Sequence, residues 1–531
     1  MRSNEHLCYR GLVAVCMLVA ACDLGGCASR PPHADFPKKT SVSIEHPEDT
    51  VLGQQFAAEA RQHGDASGYR IINMGIDGFR ARMEMIAAAR NTLDLQYYIF
   101  RGDETGRLLT EELRHAAERG VRIRVLVDDG DTKQGDQQLL QLAAYPSVEI
   151  RIFNPYPYRG HSHVLRNLAF LLNKSQLDYR MHNKLMVADG AAALIGGRNI
   201  GNEYFQVDPQ SQFADEDVFV AGRMVGQLSH VFDLFWNSDL AIPAAAFGTE
   251  SRSEHEDVHG SRQKASGIDY TALLATDGPY SGITAGRIPL VWAHAQLVYD
   301  SPDKKKVEKG GARGRLIELP VMASAREVHS DLLMITPYFV PSSDDLQLLQ
   351  SLRDRQTRVR ILTNSLESNP QIAAESGYQH YRVPLLRAGA ELYEIRSLLG
   401  NTRGSGETAR LSRYGHYALH GKMYVFDRQR VFVGSMNFDQ RSERINTEIG
   451  LIIGSPELAQ QAAARFDEMV RPENCFQVEL SPESPAGAAP HLVWRTKQAG
   501  QEVVYSREPA RSGWQRFKAT LLSWLPIERE L

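Results

Sequence analysis

Strand-like and helix-like patterns of hydrophobic residues alternate along most of this chain. In its first half, short segments rich in Val, Ile, Leu and Tyr are separated by segments whose apolar residues recur every three or four positions, as on one face of a helix. We predict strands at 92–100, 121–129 and 148–154, and helices at 78–90 and 106–120. This order is typical of α/β layers around a largely buried sheet.

The second half repeats the order of the first. Its predicted strands are 331–340, 358–364 and 390–396, and its predicted helices are 344–355 and 373–387. A unit that recurs within one chain predicts two domains of the same fold. We place these domains at residues 65–247 and 288–531, with a polar, aperiodic linker at 248–287 between them.

One short motif occurs at the same point of both halves. It reads MHNKLMVADG over 181–190 and LHGKMYVFDR over 419–428. Read as a strand, the motif places its His and Lys side by side on one face, and its Asp begins a hairpin turn. The residues are His182, Lys184 and Asp189 in the first half, and His420, Lys422 and Asp427 in the second.

The strand that returns from each turn should bring further polar residues back beside the His and Lys. These are Asn199, two residues after Gly197, in the first half, and Ser435 and Asn437 in the second. The spacing from His to Asn is the same in both copies. A single His is more often a buried core residue, but two matching motifs favour one shared site.

Paired His, Lys and Asn side chains suit the chemistry of a phosphodiester. Lys and Asn donate hydrogen bonds to the non-bridging oxygens, where negative charge grows in the transition state. One neutral His can attack phosphorus while a protonated His donates to the leaving oxygen, because imidazole titrates near neutrality. The lysines would repel a cation, and no Cys and His residues have ligand spacing, so we expect neither a metal nor a cofactor.

A second possible site lies in the predicted linker, where His255, Glu256 and His259 match the H-E-x-x-H zinc signature. That chemistry needs both His on one face of a packed helix and a third, rigidly held ligand. The neighbouring residues are polar and offer no apolar face, so we interpret this segment as a solvated linker. We likewise predict that the charged run at 303–315 is an exposed loop.

Composition is that of a globular protein of 531 residues, of which 43% are hydrophobic and 23% charged. A chain of this length is expected to form two or three domains. The formal net charge of −4 gives no sign of a nucleic-acid binder, although a local basic patch could lie within a neutral total.

The N-terminal segment has the features of an export signal. Its apolar stretch at 11–21 is too short to span, as a helix, a bilayer core about 30 Å thick. The sequence LGGCAS around Cys27 resembles the lipobox of bacterial lipoproteins, and VAAC, which ends at Cys22, is a second candidate. An ordinary cleaved signal is the alternative to both.

Lipidation of Cys27 would make residues 1–27 a lipoprotein signal that ends at the lipidated residue, followed by a tether at 28–64. We then expect an exported, membrane-anchored protein that faces the periplasm. The sorting of such lipoproteins predicts the outer membrane if Cys27 is used and the inner membrane if Cys22 is used. Cys475 would be the one cysteine of the exported body, so no internal disulfide is expected.

These motifs together resemble the phospholipase D superfamily, whose signature is H-x-K-x4-D followed by Gly/Ser-x-x-Asn, twice per active site. The segments GVRIRVLVDD, LIGGRNIGNEYF and GSMNFDQRSERINTEIG are most similar to bacterial cardiolipin synthases, the C type above all. The resemblance covers essentially residues 65–531. It implies an α/β fold of two phospholipase D-like α/β/α sandwich repeats, packed about a pseudo-two-fold axis with one active site at their interface.

The resemblance also implies residue roles. His182 would be the nucleophile, forming a phosphohistidine, and His420 the general acid, although the reverse assignment stays open. An acidic residue after each Asn would orient the opposite His, namely Glu448 and either Asp215 or Asp217, of which we favour Asp215. Asp189 and Asp427 belong to the catalytic signature and would fix the turn. The residues that would hold or support the phosphate are Lys184, Lys422, Asn199, Asn437 and Ser435.

The implied reaction is phosphatidyl transfer to the hydroxyl of phosphatidylglycerol, with phosphatidylethanolamine a candidate donor and an accessory protein neither required nor excluded. The alternatives are a hydrolytic phospholipase D, a nuclease of the same superfamily, and a non-enzymatic membrane scaffold, which the intact motifs disfavour. We expect a membrane partner and no nucleic acid. Segments 163–173 and 513–527 are apolar or amphipathic enough to lie at a membrane, although a core helix and a docked helix are the alternatives.

Overall fold

A computed structural model describes residues 31–130, 136–157, 170, 173–208, 211–247, 274, 276–311, 313–399, 416–481 and 490–524. The strands of the first half are β1 (Ser67–Ile72), β2 (Thr92–Tyr97), β3 (Arg122–Asp128), β4 (Val148–Phe153), β5 (Leu185–Ala188), β6 (Ala192–Gly196), β7 (Ser211–Ala214), β8 (Asp217–Gly222) and β9 (Ala241–Pro243). Its helices are α1 (Val51–Gln62), α2 (Gly75–Ala88), α3 (Glu104–Glu118), α4 (Asp136–Leu142), α5 (Lys174–Leu177) and α6 (Arg223–Trp236).

The second half repeats this order and adds a hairpin and a terminal helix. Its strands are β10 (Val291–Tyr299), β11 (Asp331–Ile335), β12 (Phe339–Val340), β13 (Arg358–Asn364), β14 (Glu391–Ile395), β15 (His416–Leu419), β16 (Met423–Phe426), β17 (Arg430–Gly434), β18 (Phe438–Asp439), β19 (Ile449–Gly454), β20 (Cys475–Leu480), β21 (Leu492–Gln498) and β22 (Gln501–Tyr505). Its helices are α7 (Lys304–Glu308), α8 (Glu318–Arg326), α9 (Ser343–Asp354), α10 (Ile372–Gln379), α11 (Arg382–Arg387), α12 (Gln440–Arg444), α13 (Pro456–Met469) and α14 (Gly513–Ser523).

A parallel group of three strands lies at the centre of each half. In the first half β2, β3 and β4 are parallel, β5, β6, β8 and β1 continue the sheet in antiparallel fashion beyond β2, and β9 covers the β4 edge. The second half has the same order, with β11, β13 and β14 parallel, β16, β17, β19 and β10 on one side, and β20 on the other. The prediction of an α/β fold with two equivalent repeats is confirmed.

The two halves meet through equivalent strands. Strand β1 pairs with β10 in antiparallel register, with Ser67 opposite Ala293 and Tyr69 opposite Val291, so that one sheet of 18 strands runs through both halves. Antiparallel pairing of equivalent strands is what a two-fold axis between them produces. A second link, between β7 and β15, lies beside the predicted site.

Three hydrophobic cores stabilise this arrangement. The central core takes buried residues from the strands of both halves together with Phe232 and Trp236 of α6 and Phe466 of α13. The other two cores lie under α1, α2 and α3 in the first half and under α8, α9 and the α10–α11 pair in the second. Because the central core is shared, burial of apolar surface holds the two halves, and therefore the two motifs, together.

Residues 38–62 are docked on the first half, and the prediction of a tether is wrong for them. The Lys38 ammonium donates to the Ser238 carbonyl at 2.6 Å, the Ser43 amide donates to Asp233 at 2.8 Å, and the Arg151 guanidinium donates to the Lys39 carbonyl at 2.6 Å. Helix α1 then buries Leu52 and Phe56 in the core of the first half. The contacts of Lys38, Lys39 and Ser43 depend on partners far away in the chain, so the composition of the segment did not reveal them.

The end of the predicted linker also lies against the first half. The Tyr280 hydroxyl donates to the Ile71 carbonyl at 3.0 Å, and Ile283 is fully buried in the same core. Several other predictions fall outside the described residues: the signal with Cys22 and Cys27, the H-E-x-x-H segment from His255 to His259, and most of segment 163–173. Among the helices that the structure does describe, none is long and apolar enough to cross a membrane.

Candidate active site

Each motif histidine lies just before its strand, at a contact between the halves. We predicted that the motif is a strand from its His onward, but β5 begins at Leu185 and β16 at Met423. The reason is that the residues before these strands hydrogen-bond to the other half: the His182 amide donates to the Thr447 carbonyl at 2.9 Å and the His420 amide donates to the Ala214 carbonyl at 2.7 Å. The motif backbone therefore forms part of the interface.

A buried side chain at the end of a parallel strand holds the residue before each histidine. Asp128, at the end of β3, accepts from the Met181 amide at 2.8 Å, and Asn364, at the end of β13, accepts from the Leu419 amide at 2.8 Å. Neither residue is among those that the sequence motifs predict for the site. Their common position after the same predicted strand in the two halves was the available signal.

The carboxylate that faces each histidine comes from the opposite half. Nδ1 of His182 lies 2.9 Å from Oε2 of Glu448, and Nδ1 of His420 lies 2.6 Å from Oδ2 of Asp215. Asp217, the alternative to Asp215, instead forms an ion pair with Arg82 at 2.7 Å. Since each ring uses Nδ1 for this contact, Nε2 is the nitrogen left for a substrate.

Two fully buried lysines accompany the histidines. The Lys184 ammonium donates to the His182 carbonyl at 2.6 Å, and the Lys422 ammonium lies 3.2 Å from Nδ1 of His420 and donates to the same residue's carbonyl. Burial lowers the pKa of both lysines, and the charge of Lys422 lowers that of Lys184 further. Burial lowers the pKa of both histidines, and each lysine lowers it further, because the two motifs converge on one cluster.

The two carboxylates differ in protonation. Burial would raise the pKa of Asp215, but the His420 ring and its hydrogen bond, and then Lys422, lower it to about 2. Burial raises the pKa of Glu448 to about 7, against the opposing charge of Lys184 and the hydroxyls of Ser435 and Ser442. His420 therefore faces a carboxylate that is ionised at neutral pH, whereas burial makes Glu448 take up a proton much more readily than Asp215 does.

Ser435 and its counterpart Gly197 explain part of this difference. The Ser435 hydroxyl donates to Glu448 at 2.5 Å, so the structure gives this residue a role in supporting the carboxylate. A Cβ atom on Gly197 would lie only 2.1 Å from Oδ1 of Asp215, so a serine at this position would displace the carboxylate that faces His420. The shorter Asp and the glycine are thus a matched pair.

The two motif asparagines have unequal surroundings. Asn199 accepts from the Ile99 amide at 3.1 Å and donates to the Tyr204 hydroxyl at 3.0 Å, so both ends of its amide are engaged within the first half. Within the part of the chain that the structure describes, Oδ1 of Asn437 is buried without a hydrogen-bond partner. Of the two side-chain amides, that of Asn437 therefore still has an oxygen that can accept a hydrogen bond when a substrate binds.

Asp189 and Asp427 lie at the hairpin turns and not among the reacting groups. Asp189 adopts a φ of 51° and accepts from the backbone amides of Arg90, Asn91 and Thr92, which lead into β2. Asp427 adopts a φ of 52° and accepts from the equivalent amides before β11. The two aspartates of the signature therefore have a structural role: each connects its hairpin to the neighbouring strand of the parallel group.

A buried ion pair behind Glu448 contradicts one prediction. Lys304, from the charged run that we predicted to be an exposed loop, has no exposed surface and donates to Asp300 at 3.0 Å and to the carbonyls of Ser442 and Asn446. Asp300 in turn accepts from the Glu448 amide at 3.0 Å. Nothing in the run of lysines distinguishes the one that points inward, so pattern analysis could not find it.

Aromatic rings enclose both imidazoles. Tyr98 packs edge-on against His182 with ring centroids 5.1 Å apart, and its ring lies 5.4 Å from the Lys184 ammonium. Tyr204 and Phe213 contact His420, with centroids 5.0 and 5.4 Å away. These rings limit the access of water to the cluster and fix the orientation of the imidazoles.

The described residues do not include a candidate metal site. They contain no group of three or more His, Cys, Asp or Glu side chains that could hold a metal ion. The cluster is instead rich in buried cationic and neutral nitrogen donors, which suits a substrate anion.

We expect His420 to contribute to loss of stability in acid. Burial and then Lys422 lower its pKa from 6.5 to about 3, so below pH 6.5 the unfolded chain binds a proton that the folded chain does not bind until about pH 3. Between pH 6.5 and 4.5 the free energy of unfolding should fall about 1.4 kcal/mol per pH unit faster in the wild type than in His420→Asn. Urea unfolding at several pH values measures this slope, and equal slopes in the wild type and in His420→Asn would contradict the expectation.

Comparison with known proteins places this geometry in a family. A family model described as "Cardiolipin synthase, PLD-like domain" matches residues 83–236 and 321–470. Cardiolipin synthase C of Escherichia coli K12 is 34% identical over 88% of this chain and 97% of its own length. Major cardiolipin synthase ClsA of Bacillus subtilis is 25% identical over 75% of this chain and 68% of its own length.

A solved structure shows the same fold. Phosphatidylserine synthase from Haemophilus influenzae superposes with a TM-score of 0.51 at 14% identity, over 80% of this chain and 92% of that protein. Two equivalent repeats, one His-Lys pair from each, and the match of both repeats to one family model lead to the same assignment. This chain belongs to the cardiolipin synthase family of phospholipase D-like proteins.

Proposed function

We propose that this protein is a phospholipase D-type phosphatidyltransferase that forms cardiolipin from phosphatidylglycerol and a second phospholipid. The observation that carries the proposal is the pair of imidazoles, each held at Nδ1 by a carboxylate of the opposite half, with a buried lysine beside each of them. Such a cluster offers two Nε2 atoms and two ammonium groups to one phosphodiester. The relatives named cardiolipin synthase support the choice of lipid substrates.

In the proposed first step, Nε2 of His182 attacks phosphorus and the bond to the leaving headgroup oxygen breaks. His420 donates its proton to that oxygen, so an alcohol leaves and a phosphatidyl group stays on His182. In the second step, a hydroxyl of phosphatidylglycerol loses its proton to His420 and attacks phosphorus, and the bond to Nε2 breaks. The charge of the two lysines balances the non-bridging oxygens in both steps.

The unequal carboxylates support this assignment of roles. A general acid must carry a proton, and the ionised Asp215 stabilises an imidazolium at His420 once the substrate anion offsets the charge of Lys422. A nucleophile must be neutral, and Glu448, whose pKa burial raises to about 7, does less to favour an imidazolium at His182. In the reverse assignment the protonated imidazole would be His182, which faces Glu448, the carboxyl group that is less readily ionised.

The test is an analysis of lipid products. Purified protein is incubated with phosphatidylglycerol vesicles, with and without phosphatidylethanolamine, and separately with single-stranded DNA, and the products are identified by mass spectrometry. We expect cardiolipin as the main product and no DNA fragments. The His182→Ala protein, prepared in parallel, controls for contaminating enzymes. Phosphatidic acid as the main product would assign a hydrolytic phospholipase D, and DNA fragments would assign a nuclease.

We further propose that the chain is an exported lipoprotein anchored through Cys27, with the periplasm as its compartment. The support is the apolar stretch at 11–21 followed by LGGCAS. The mass of the mature N-terminus distinguishes a lipid on Cys27 from one on Cys22, and an unmodified N-terminus would overturn the proposal.

A further inference from the structure

Helix α14 carries an exposed apolar face. Trp514, Phe517, Leu521 and Trp524 recur at helical spacing, and their exposed fractions are 62, 55, 51 and 77%. Exposed large apolar residues are common singly, but a continuous stripe of them with two tryptophans marks a surface that meets an apolar partner. The opposite face of the helix buries Ala519 against the protein, so the stripe does not result from an undocked helix.

Polar contacts hold the helix in place. The Gln515 side chain donates to the Leu366 carbonyl at 2.6 Å, and the His380 ring lies 2.8 Å from the Ser523 carbonyl at the other end. Glu508, in the segment that leads into the helix, forms a partly buried ion pair with Arg382 at 2.6 Å. The stripe is therefore presented in one fixed orientation.

A series of hydrogen bonds connects the residues just before α14 with the candidate active site. Arg511 donates to the carbonyls of Glu367 and Ser368, in the loop that follows β13. The Ser368 hydroxyl bonds to Asn364 at 3.1 Å, and Asn364 holds the Leu419 amide next to His420. Because this loop follows the carboxyl end of β13, α14 is anchored at the edge of the sheet where Asn364 contacts the residue before His420.

Basic residues flank the stripe. Arg511 precedes the helix, Arg516 and Lys518 lie within it, and the segment 509–524 contains no acidic residue. The Lys518 ammonium lies 5.3 Å from the Trp514 ring centre, so charge and aromatic surface occur together. Aromatic residues at the acyl boundary with cationic groups at the phosphates are the pattern of a helix that lies in a membrane interface.

We propose that α14 docks this protein on an anionic phospholipid bilayer by inserting Trp514, Phe517, Leu521 and Trp524 below the headgroups. The docked bilayer would then face the edge of the sheet at which His420 lies, so that a lipid reaches the histidines without leaving the membrane plane. The consequence for catalysis rests on the proposed function, whereas the docking itself does not.

The first test measures insertion through the tryptophans. Full-length protein is mixed with phosphatidylglycerol vesicles whose acyl chains carry bromine, a contact quencher of indole fluorescence. Of the five tryptophans, Trp236 and Trp494 are buried, and the partly buried Trp292 stacks on His63 and is the same in every variant. A change in quenching between variants therefore reports on Trp514 and Trp524. We expect quenching in the wild type, and at least a twofold loss of it in Phe517→Gln/Leu521→Gln, which keeps every tryptophan. An N-terminal anchor, if present, is the same in both proteins.

Two exposed leucines elsewhere provide the matched control. Leu319 and Leu398 are 60 and 56% exposed, and Leu319→Gln/Leu398→Gln should quench like the wild type. Equal quenching in the Phe517→Gln/Leu521→Gln protein would overturn the proposal, as would the absence of quenching in the wild type. If that variant instead dissociates a dimer in light scattering, the stripe binds a second copy of the chain and the proposal is wrong.

A second measurement links docking to catalysis. The ratio of cardiolipin formation on vesicles to that on detergent-dispersed lipid should fall at least fivefold in Phe517→Gln/Leu521→Gln and stay constant in the leucine control. If quenching falls as expected in Phe517→Gln/Leu521→Gln but no protein, the wild type included, makes cardiolipin, the proposed function is refuted and the docking surface is supported. An unchanged ratio with reduced quenching would refute the link to catalysis.

Discussion

His182→Ala should abolish turnover of every substrate, whereas His420→Ala should retain the first step on a substrate with a nitrophenolate leaving group. The reason lies in the two proposed roles. A very acidic leaving group departs without a proton, so loss of the general acid matters little in that step, but no other group replaces a missing nucleophile. On natural phospholipids, whose leaving alkoxides need a proton, both variants should lose at least a thousandfold in turnover, on the order of the effect of a catalytic residue.

The measurement is a burst of nitrophenol followed by acid-quenched analysis of the protein. His420→Ala should accumulate a phosphorus label on His182, because the second step also needs His420 as a base. The exposed His416→Ala serves as the matched control and should behave as the wild type. A label on His420 in the His182→Ala protein would invert the assignment, and no label in either variant would argue for direct attack by the acceptor.

Lys304→Met should both destabilise the protein and change the pH dependence of its activity. The substitution leaves Asp300 buried without its ion-pair partner and removes hydrogen bonds to the carbonyls of Ser442 and Asn446. Breaking a buried pair in this way costs about 3–5 kcal/mol. Urea unfolding should show this loss, while Lys306→Met, an exposed neighbour in the same run, should unfold as the wild type does.

The effect on activity should follow from the charge of Lys304. This charge lowers the pKa of Glu448, which burial raises to about 7, so its removal should raise that pKa further. A protonated Glu448 holds His182 less well, and the acid limb of the kcat/KM profile should therefore move to higher pH in Lys304→Met. A profile of unchanged shape, with stability alone reduced, would make Lys304 a purely structural residue.

Much of the site could be predicted because short sequence patterns that occur in both halves determine its local structure. The hairpin that carries His182 and Lys184, and the return of Ser435 towards it, follow from strand periodicity and turn residues that recur in both halves. The opposed carboxylates Glu448 and Asp215 followed only from resemblance to a known superfamily, since no local pattern connects residues so far apart in the chain.

Other features depend on tertiary contacts that no window of sequence contains. Lys304 is one of three consecutive lysines, and only the position of Asp300 and of the Ser442 carbonyl decides which of them is buried. The segment with Lys38 and Ser43 has the composition of a free tether, but it donates to the Asp233 carboxylate of α6 and to the Ser238 carbonyl just after that helix. In both cases the partner, and not the segment itself, determines the structure.

The exchange of carboxylates between the halves has a consequence for the timing of activity during synthesis. A nascent chain that has passed only the first motif contains His182 without Glu448. A chain that ends between Asn437 and Glu448 contains both motifs and still lacks the partner of His182. The reactive pair therefore assembles only after Glu448 has been made and the two halves have met. A ribosome-bound chain that has not reached this residue would lack a complete catalytic cluster.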